Sequence, residues 1–258
     1  MKRWVVIEKR IGETPLRALE AWRAASPAYA GIPASYAGRL DPMASGKLLI
    51  LLGDECKKQE RYTGLDKEYE IEVLLDIGTD TGDVLGVPTY VGTKTSVVPD
   101  AALRAVTGAH VVPYPAFSSR TVNGKPLFLH TLEGNPIKIP THEETVYRIR
   151  RLSESRVSKE DLKARIEDLL TYAPRSDEPS KALGADFRQD EIREAWGAVF
   201  AQMPDRSFTI LRLRVTCASG TYMRTLASRF GAQGLALSIH RTKIGQFLPF
   251  LGVWMRNF

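Results

Sequence analysis

DKEYEIEVLLDIG, residues 66–78, alternates as an extended segment does: Tyr69, Ile71, Val73 and Leu75 are separated by charged or apolar partners, Glu70 and Glu72 among them. A period of two puts the apolar set on one face, so this stretch reads as a half-buried strand. SFTILRLRVTCASG, residues 207–220, repeats the pattern, with Leu211, Leu213, Val215 and Cys217 alternating with Arg212, Arg214 and Thr216. ETVYRIRRLS (144–153) alternates too, KLLILLG (47–53) suits a fully buried strand, and IHRTKIGQF (239–247) reads as a basic closing strand. Helices fall between them. Thr14 followed by Pro15 opens LRALEAWRAA, Asp54 is expected to cap DECKKQERY, Asp100 to cap PDAALRAVTG, and TYMRTLASRFG is expected to run to Gly231. Asn123-Gly124 marks a hairpin turn. The expected fold is α/β, in the narrower sense α+β: a mixed, largely antiparallel sheet flanked by helices.

At 258 residues the chain can bury a substantial core, and its 43% hydrophobic and 26% charged content is ordinary for a globular protein. No apolar run approaches the ~20 residues that cross a membrane, and MKRWVVIEKR has no signal-peptide core. Two cysteines, Cys56 and Cys217, are too few for a disulfide framework, and four histidines without close Cys/His pairing make a zinc site a poor expectation. The reading is of a cytoplasmic protein with reduced thiols. A net charge of +6 is compatible with a polyanionic partner. Residues from about 152 to 206 differ in texture: SKEDLKARIEDLL and DFRQDEIREAWGAVFAQM are helical, joined by polar TYAPRSDEPSKALGA, and are expected to be an insertion within one domain.

The chemistry concentrates in GRLDPMASG, residues 38–46. An Asp-Pro pair alone marks a turn. Here apolar Leu40 and Met43 flank it, a setting that disfavours a charged carboxylate unless a cation lies near. Arg224 in SGTYMRTLASRFG is a candidate cation, since a helix's first turn is an unfavourable place for an unpaired arginine. Tyr69 opens the apolar face of its strand and is either core or a platform for stacking a base.

GRLDPMASGKLLILLG resembles the catalytic motif of TruB-type tRNA pseudouridine synthases. DKEYEIEVLLDIGTDTGDVLG resembles that family's tyrosine motif, VTCASGTYMRTLASRFG its arginine motif, VNGKPLF its hairpin and IHRTKIGQF its closing strand, all in the family's order. The resemblance implies that Asp41 is the catalytic carboxylate, that Tyr69 stacks on the target uracil and that Arg224 holds Asp41 in an ion pair. Tyr36, Gly38, Leu40, Ile239 and Arg241 would contact substrate. It further implies no metal and no organic cofactor, the T-arm of tRNA as partner, and the T-loop uridine that becomes pseudouridine-55 as target. Departures fall in recognition positions: SYAG stands where the family has Gly-His-Thr-Gly, so Tyr36 replaces a histidine. VPYP replaces Gln-Val-Pro-Pro, Thr121 a lysine, Leu132 an arginine, and His240 the first of two paired arginines. A C-terminal PUA domain is not expected within the chain, which is expected to act as a monomer, and the insertion is expected to supply RNA contacts or a surface for a protein partner. Two other readings compete: an RNA-binding protein or tRNA chaperone without catalysis, and a hydrolase pairing Asp41 with Asp80 or Asp83. A calcium loop in DIGTDTGDVLG lacks the EF-hand spacing and its closing Glu.

Overall fold

The protein is represented by a computed structural model that describes residues 2–92, 97–134, 136–173, 188–230 and 233–258. Most of the polar joint TYAPRSDEPSKALGA and the expected helix end at Gly231 lie outside the described residues.

The strands are β1 (Trp4–Lys9), β2 (Ala34–Ala37), β3 (Ala44–Leu52), β4 (Asp66–Leu75), β5 (Ile77–Thr79), β6 (Pro88–Val91), β7 (Gly108–Pro113), β8 (Thr121–Val122), β9 (Lys125–Pro126), β10 (Thr141–Val157), β11 (Phe208–Cys217), β12 (Gly234–Leu248) and β13 (Val253–Asn257). Nine of them form one sheet in the order β1-β3-β12-β4-β11-β10-β7, with β2 paired to β3 and β13 to β12. The β12–β3 pairing is parallel and the others in this sheet are antiparallel. The fold is thus the mixed, largely antiparallel α+β architecture that the alternation implies.

Side-chain parity explains both faces of the centre. On β4, Tyr69, Ile71, Val73 and Leu75 join Leu211, Leu213, Val215 and Cys217 of β11 and Ile239 of β12 in one core cluster. Glu68, Glu70 and Glu72 point the other way and meet a ladder of partners: Lys243 at 3.0 Å from Glu68, Arg212 and Arg214 at 2.5 and 2.6 Å from Glu70, and Arg165 on Glu72. Much of the basic charge read on β11 is therefore matched across the sheet. The same face turns apolar at Leu74 and Ile210, where the helices Lys159–Thr171 and Gln189–Gln202 land and build a second core with Leu162, Ile166, Ile192, Trp196 and Phe200. Along β3, Leu48 to Leu51 are wholly buried because the helix Pro15–Ala24 covers one side and Tyr62, Ile244 and Phe258 the other.

Several local expectations are met. The Thr14 hydroxyl accepts from the Arg17 amide at 3.2 Å, and Asn123 and Gly124 take φ of 50° and 78° in the β8–β9 hairpin. Two caps are not where the sequence puts them. Asp54 lies inside a 3₁₀ turn, Gly53–Lys58, and pairs with Lys57 at 2.7 Å; Asp100 is the first residue of Asp100–Ala105, after Pro99, and pairs with Arg151 at 3.1 Å. In both cases a nearby cation takes the carboxylate from the backbone amides. The alternating strand at 144–153 is also longer than read, running from Thr141 to Val157, and the helices described after it are Lys159–Thr171 and Gln189–Gln202.

Candidate active site

The turn that carries Asp41 sits between β2 and β3, over the crossing of β3 and β12. Gly46 permits that crossing: its φ is 105°, and a Cβ there would lie 2.4 Å from the Arg241 carbonyl. From the turn after β1, the Gly12 amide donates to Pro42 O at 2.9 Å, and from the end of β1 the buried Lys9 ammonium donates to Pro42 O at 3.4 Å and to Ala44 O. Burial draws the Lys9 pKa down to about 8. From β12, the wholly buried Arg241 donates to Lys47 O at 2.7 Å, Arg39 O at 3.2 Å and Gly38 O at 3.3 Å. The turn is held from two sides by buried cations on its carbonyls.

Arg224 reaches the turn from the short helix Met223–Leu226. Its Nε donates to Asp41 Oδ2 at 2.6 Å, its Nη1 to Thr81 O at 3.0 Å and its Nη2 to Phe117 O at 3.1 Å. A second carboxylate, Asp83, stands 3.6 Å from the same Nε. Burial opposes the arginine's charge, but Asp41 and Asp83 outweigh it and lift its pKa above the usual guanidinium value. The two acids differ in setting: the Asp41 side chain is 39% exposed and Asp83 only 7%. Burial pushes Asp83 up to about 6, against the pull of Arg224 and of hydrogen bonds from the Thr81 hydroxyl at 2.9 Å and the Leu85 amide at 3.0 Å.

Asp41 opens into a cleft of about 600 Å³. All eight residues singled out in the sequence line it: Tyr36, Gly38, Leu40, Asp41, Tyr69, Arg224, Ile239 and Arg241. Their surroundings divide their roles. Tyr69 and Ile239, 8% and 4% exposed, present apolar walls, and burial raises the Tyr69 phenol's pKa. Arg241 spends its donors on loop carbonyls, which suits it to shaping the turn from beneath.

Three groups that support the cleft, Lys67, Lys9 and Phe117, have no place in the sequence reading, and a fourth, Asp83, has a different one there. Lys67 is buried, donating to Thr63 O at 2.6 Å, to Leu65 O and to the Ser219 hydroxyl at 3.1 Å; burial first, then Arg241, draws its pKa down to about 8. Its signal was available, because Lys67 shares the apolar parity of Tyr69 two residues on. Asp83 was considered only as a hydrolase partner, yet it lies behind the arginine that Asp41 uses. Lys9 and Phe117 left no sequence mark: one ends a strand and the other sits in a loop. Asp80 is tied to the Val87 amide at 2.9 Å and to Arg188 at 2.8 Å, whereas Asp83 shares the Arg224 Nε with Asp41.

A tRNA pseudouridine synthase B of Geobacillus thermodenitrificans is 29% identical over 220 residues, covering 82% of this chain and 58% of that protein. One of Aromatoleum aromaticum is 28% identical over 253 residues, covering 94% of this chain and 63% of that protein. The chain thus spans 58 to 63% of the length of these curated relatives. Among solved structures, a chain of a Cbf5-Nop10-Gar1 complex superposes with a TM-score of 0.52 over 94% of this chain and 48% of its own, at 16% identity, a likeness of fold. Residues 32–168, more than half of the chain, match the N-terminal domain of the TruB family pseudouridylate synthases, and the protein belongs to that family.

Proposed function

We propose that this chain isomerises uridine to pseudouridine in tRNA, at the T-loop uridine that becomes pseudouridine-55, with Asp41 as the catalytic carboxylate. The observation that carries the reading is the 2.6 Å Asp41–Arg224 pair at the mouth of a cleft walled by Tyr69 and Ile239.

The reaction breaks the N-glycosidic bond, turns the uracil and rejoins it through carbon. An ionised carboxylate serves each route to that outcome, whether it attacks the sugar or the base or assists removal of a sugar proton. Arg224 donates to Asp41 Oδ2 and, anchored on Thr81 O and Phe117 O, holds that oxygen in place. A uridine inside a folded T-loop is out of reach until it is flipped out, and a flipped base needs a flat ring and apolar walls. Tyr69, Leu40 and Ile239 offer those. The protein would work in the cytoplasm, on the T-arm, without metal or organic cofactor.

The test is pseudouridine mapping at single-nucleotide resolution on an unmodified tRNA transcript, with wild type and Asp41→Asn side by side. Product at the T-loop uridine from wild type alone is the expected result. Product at another uridine would keep the chemistry and move the substrate. No product from either protein, with tight tRNA binding by both, would favour a chaperone without catalysis.

A further inference from the structure

The cleft uses one face of the central sheet, the face of Tyr69 and Ile239. Away from the end that the helices cover, the opposite face is basic. On it Arg148 of β10 pairs with Thr216 of β11, Arg150 pairs with Arg214, and Arg212 follows two residues from Arg214. Residues directly opposed on antiparallel strands point to the same side, so the four arginines share one surface. Aromatic rings border it. Phe247 and Trp254 meet with centroids 5.2 Å apart, the Arg148 guanidinium lies 5.5 Å from the Phe247 centroid, and the Lys243 ammonium lies 5.6 Å from that of Trp254.

Resting on the function proposed above, we infer that this basic face is a second RNA-binding surface, which takes backbone phosphates of the tRNA body outside the T-arm while the T-loop occupies the cleft. Three observations converge on it. First, the carboxylates nearby are already engaged. Glu70 serves both Arg212 and Arg214, Glu68 is paired with Lys243, Glu72 with Arg165 and Glu154 with Arg151. Asp66 accepts instead from the Tyr147 hydroxyl at 3.0 Å and the Phe247 amide at 2.9 Å. Arg148 and Arg150 have no ion pair among the described residues, and Arg150 is exposed. Their charge is the surplus of this surface.

Second, Arg150 stands directly across from Arg214, and like charges so placed repel. An anion between them relieves that repulsion. A phosphate diester, with two free oxygens, matches the planar fork of a guanidinium, and successive phosphates of one strand can meet successive arginines.

Third, the surface lies where RNA leaving the cleft can reach it. β10 pairs with β7 only from Thr141 to Val146, so from Arg148 onward its outer side pairs with no strand. The arginines therefore stand at an open edge of the sheet. Arg214 and Glu70 are adjacent in register to Val215 and Tyr69, the pair that carries the aromatic wall of the cleft. A strand passing this edge goes from one face of the sheet to the other within a few residues of the site.

The experiment measures the affinity of the full chain for a whole tRNA transcript and for an isolated T-arm stem-loop between 50 and 200 mM salt, with turnover on both. The proteins are wild type, the double variant Arg148→Gln with Arg150→Gln, and the double variant Arg148→Lys with Arg150→Lys. On whole tRNA the glutamine variant should make the slope of log K against log salt shallower by ~1.4–1.8, two contacts at ~0.7–0.9 each. The wild-type advantage should then shrink about seven- to twelvefold across that range. KM should rise and kcat stay within about twofold. On the stem-loop the glutamine variant should match the wild type, and the lysine variant should keep the wild-type slope on both RNAs. A wild-type slope for the glutamine variant on whole tRNA overturns the inference; aggregation of that variant at unchanged affinity would make the arginines guards of an open edge instead. An equal loss on stem-loop and whole tRNA also overturns it, since the surface would then serve the T-arm. Absence of tRNA binding by the wild type would instead overturn the function itself, and this inference with it.

Discussion

One guanidinium organises the cleft. Arg224 is 5% exposed, and a buried charge of that kind is tolerated only with partners on several sides, which Asp41, Asp83, Thr81 O and Phe117 O provide. Its two acids then do different work. Asp41 keeps access to the cleft, whereas Asp83 is a buried counter-charge whose protonated form the fold favours, with a pKa moved from 3.8 to about 6. The sign follows from proton uptake: below pH ~4 the acid is neutral in both states, and as pH rises through 6 the folded state must charge a buried group. The stabilisation from Asp83 is therefore fully present at low pH and lost on the way to pH 6. Wild type measured against Asp83→Asn should lose roughly 2–3 kcal/mol of relative stability between pH 4 and 7. Chemical denaturation across that range reads this directly, and a constant difference would show that Asp83 stays neutral or stays charged throughout.

At the scale of elements, the site is made by a strand crossing. Ile239, His240 and Arg241 of β12 run parallel to Ala44, Ser45 and Gly46 of β3, directly after the Asp41 turn. Close approach there depends on Gly46, where a Cβ would meet Arg241 O at 2.4 Å and Arg241 N at 2.6 Å. Gly46→Ala should force the strands apart, cost roughly 1–3 kcal/mol, and pull Arg241 from the carbonyls of Gly38 and Arg39. Thermal unfolding should register the loss, and activity should fall further than the shift in stability explains. A variant with wild-type turnover would mean that the crossing does not position the turn. Helix ends teach a smaller lesson. Thr14 caps as its sequence says, and the structure adds a cap at Ser158, which accepts from the Asp161 amide at 3.0 Å, while Asp54 and Asp100 are taken by Lys57 and Arg151. A hydroxyl has no ion pair to form instead; a carboxylate has.

Across the whole molecule, the helices between β10 and β11 belong to the sheet's second face. Leu74, Ile77, Phe208, Ile210 and Leu235 share one core with Leu162, Ile166, Ile192, Trp196 and Phe200. Removing residues 159–202 should therefore uncover a broad apolar surface and give a protein that aggregates or unfolds without cooperativity. A soluble deletion variant with an unchanged melting temperature would show that the two cores are independent. Among the described residues no helix is long and apolar enough to cross a membrane, and both Cys56 and Cys217 are free thiols. Burial pushes Cys217 up to about 12, which leaves it unreactive.

What the sequence by itself determined is whatever repeats locally: the two-residue period of β4 and β11, the hairpin at Asn123-Gly124, the cap at Thr14, and the motifs around Asp41, Tyr69 and Arg224. Those features are set by neighbours a few positions apart, and a side-chain period survives without knowledge of partners. Tertiary structure decided what depends on distant groups meeting. Lys9 and Arg241 hold the Asp41 turn from strands 32 and 200 positions away in the chain, Asp83 shares the arginine of Asp41, and Arg188 arrives from the far end of a helical segment. A buried charge is tolerable only beside its counter-charge or its acceptors, and where those lie is settled by packing, which no local pattern records.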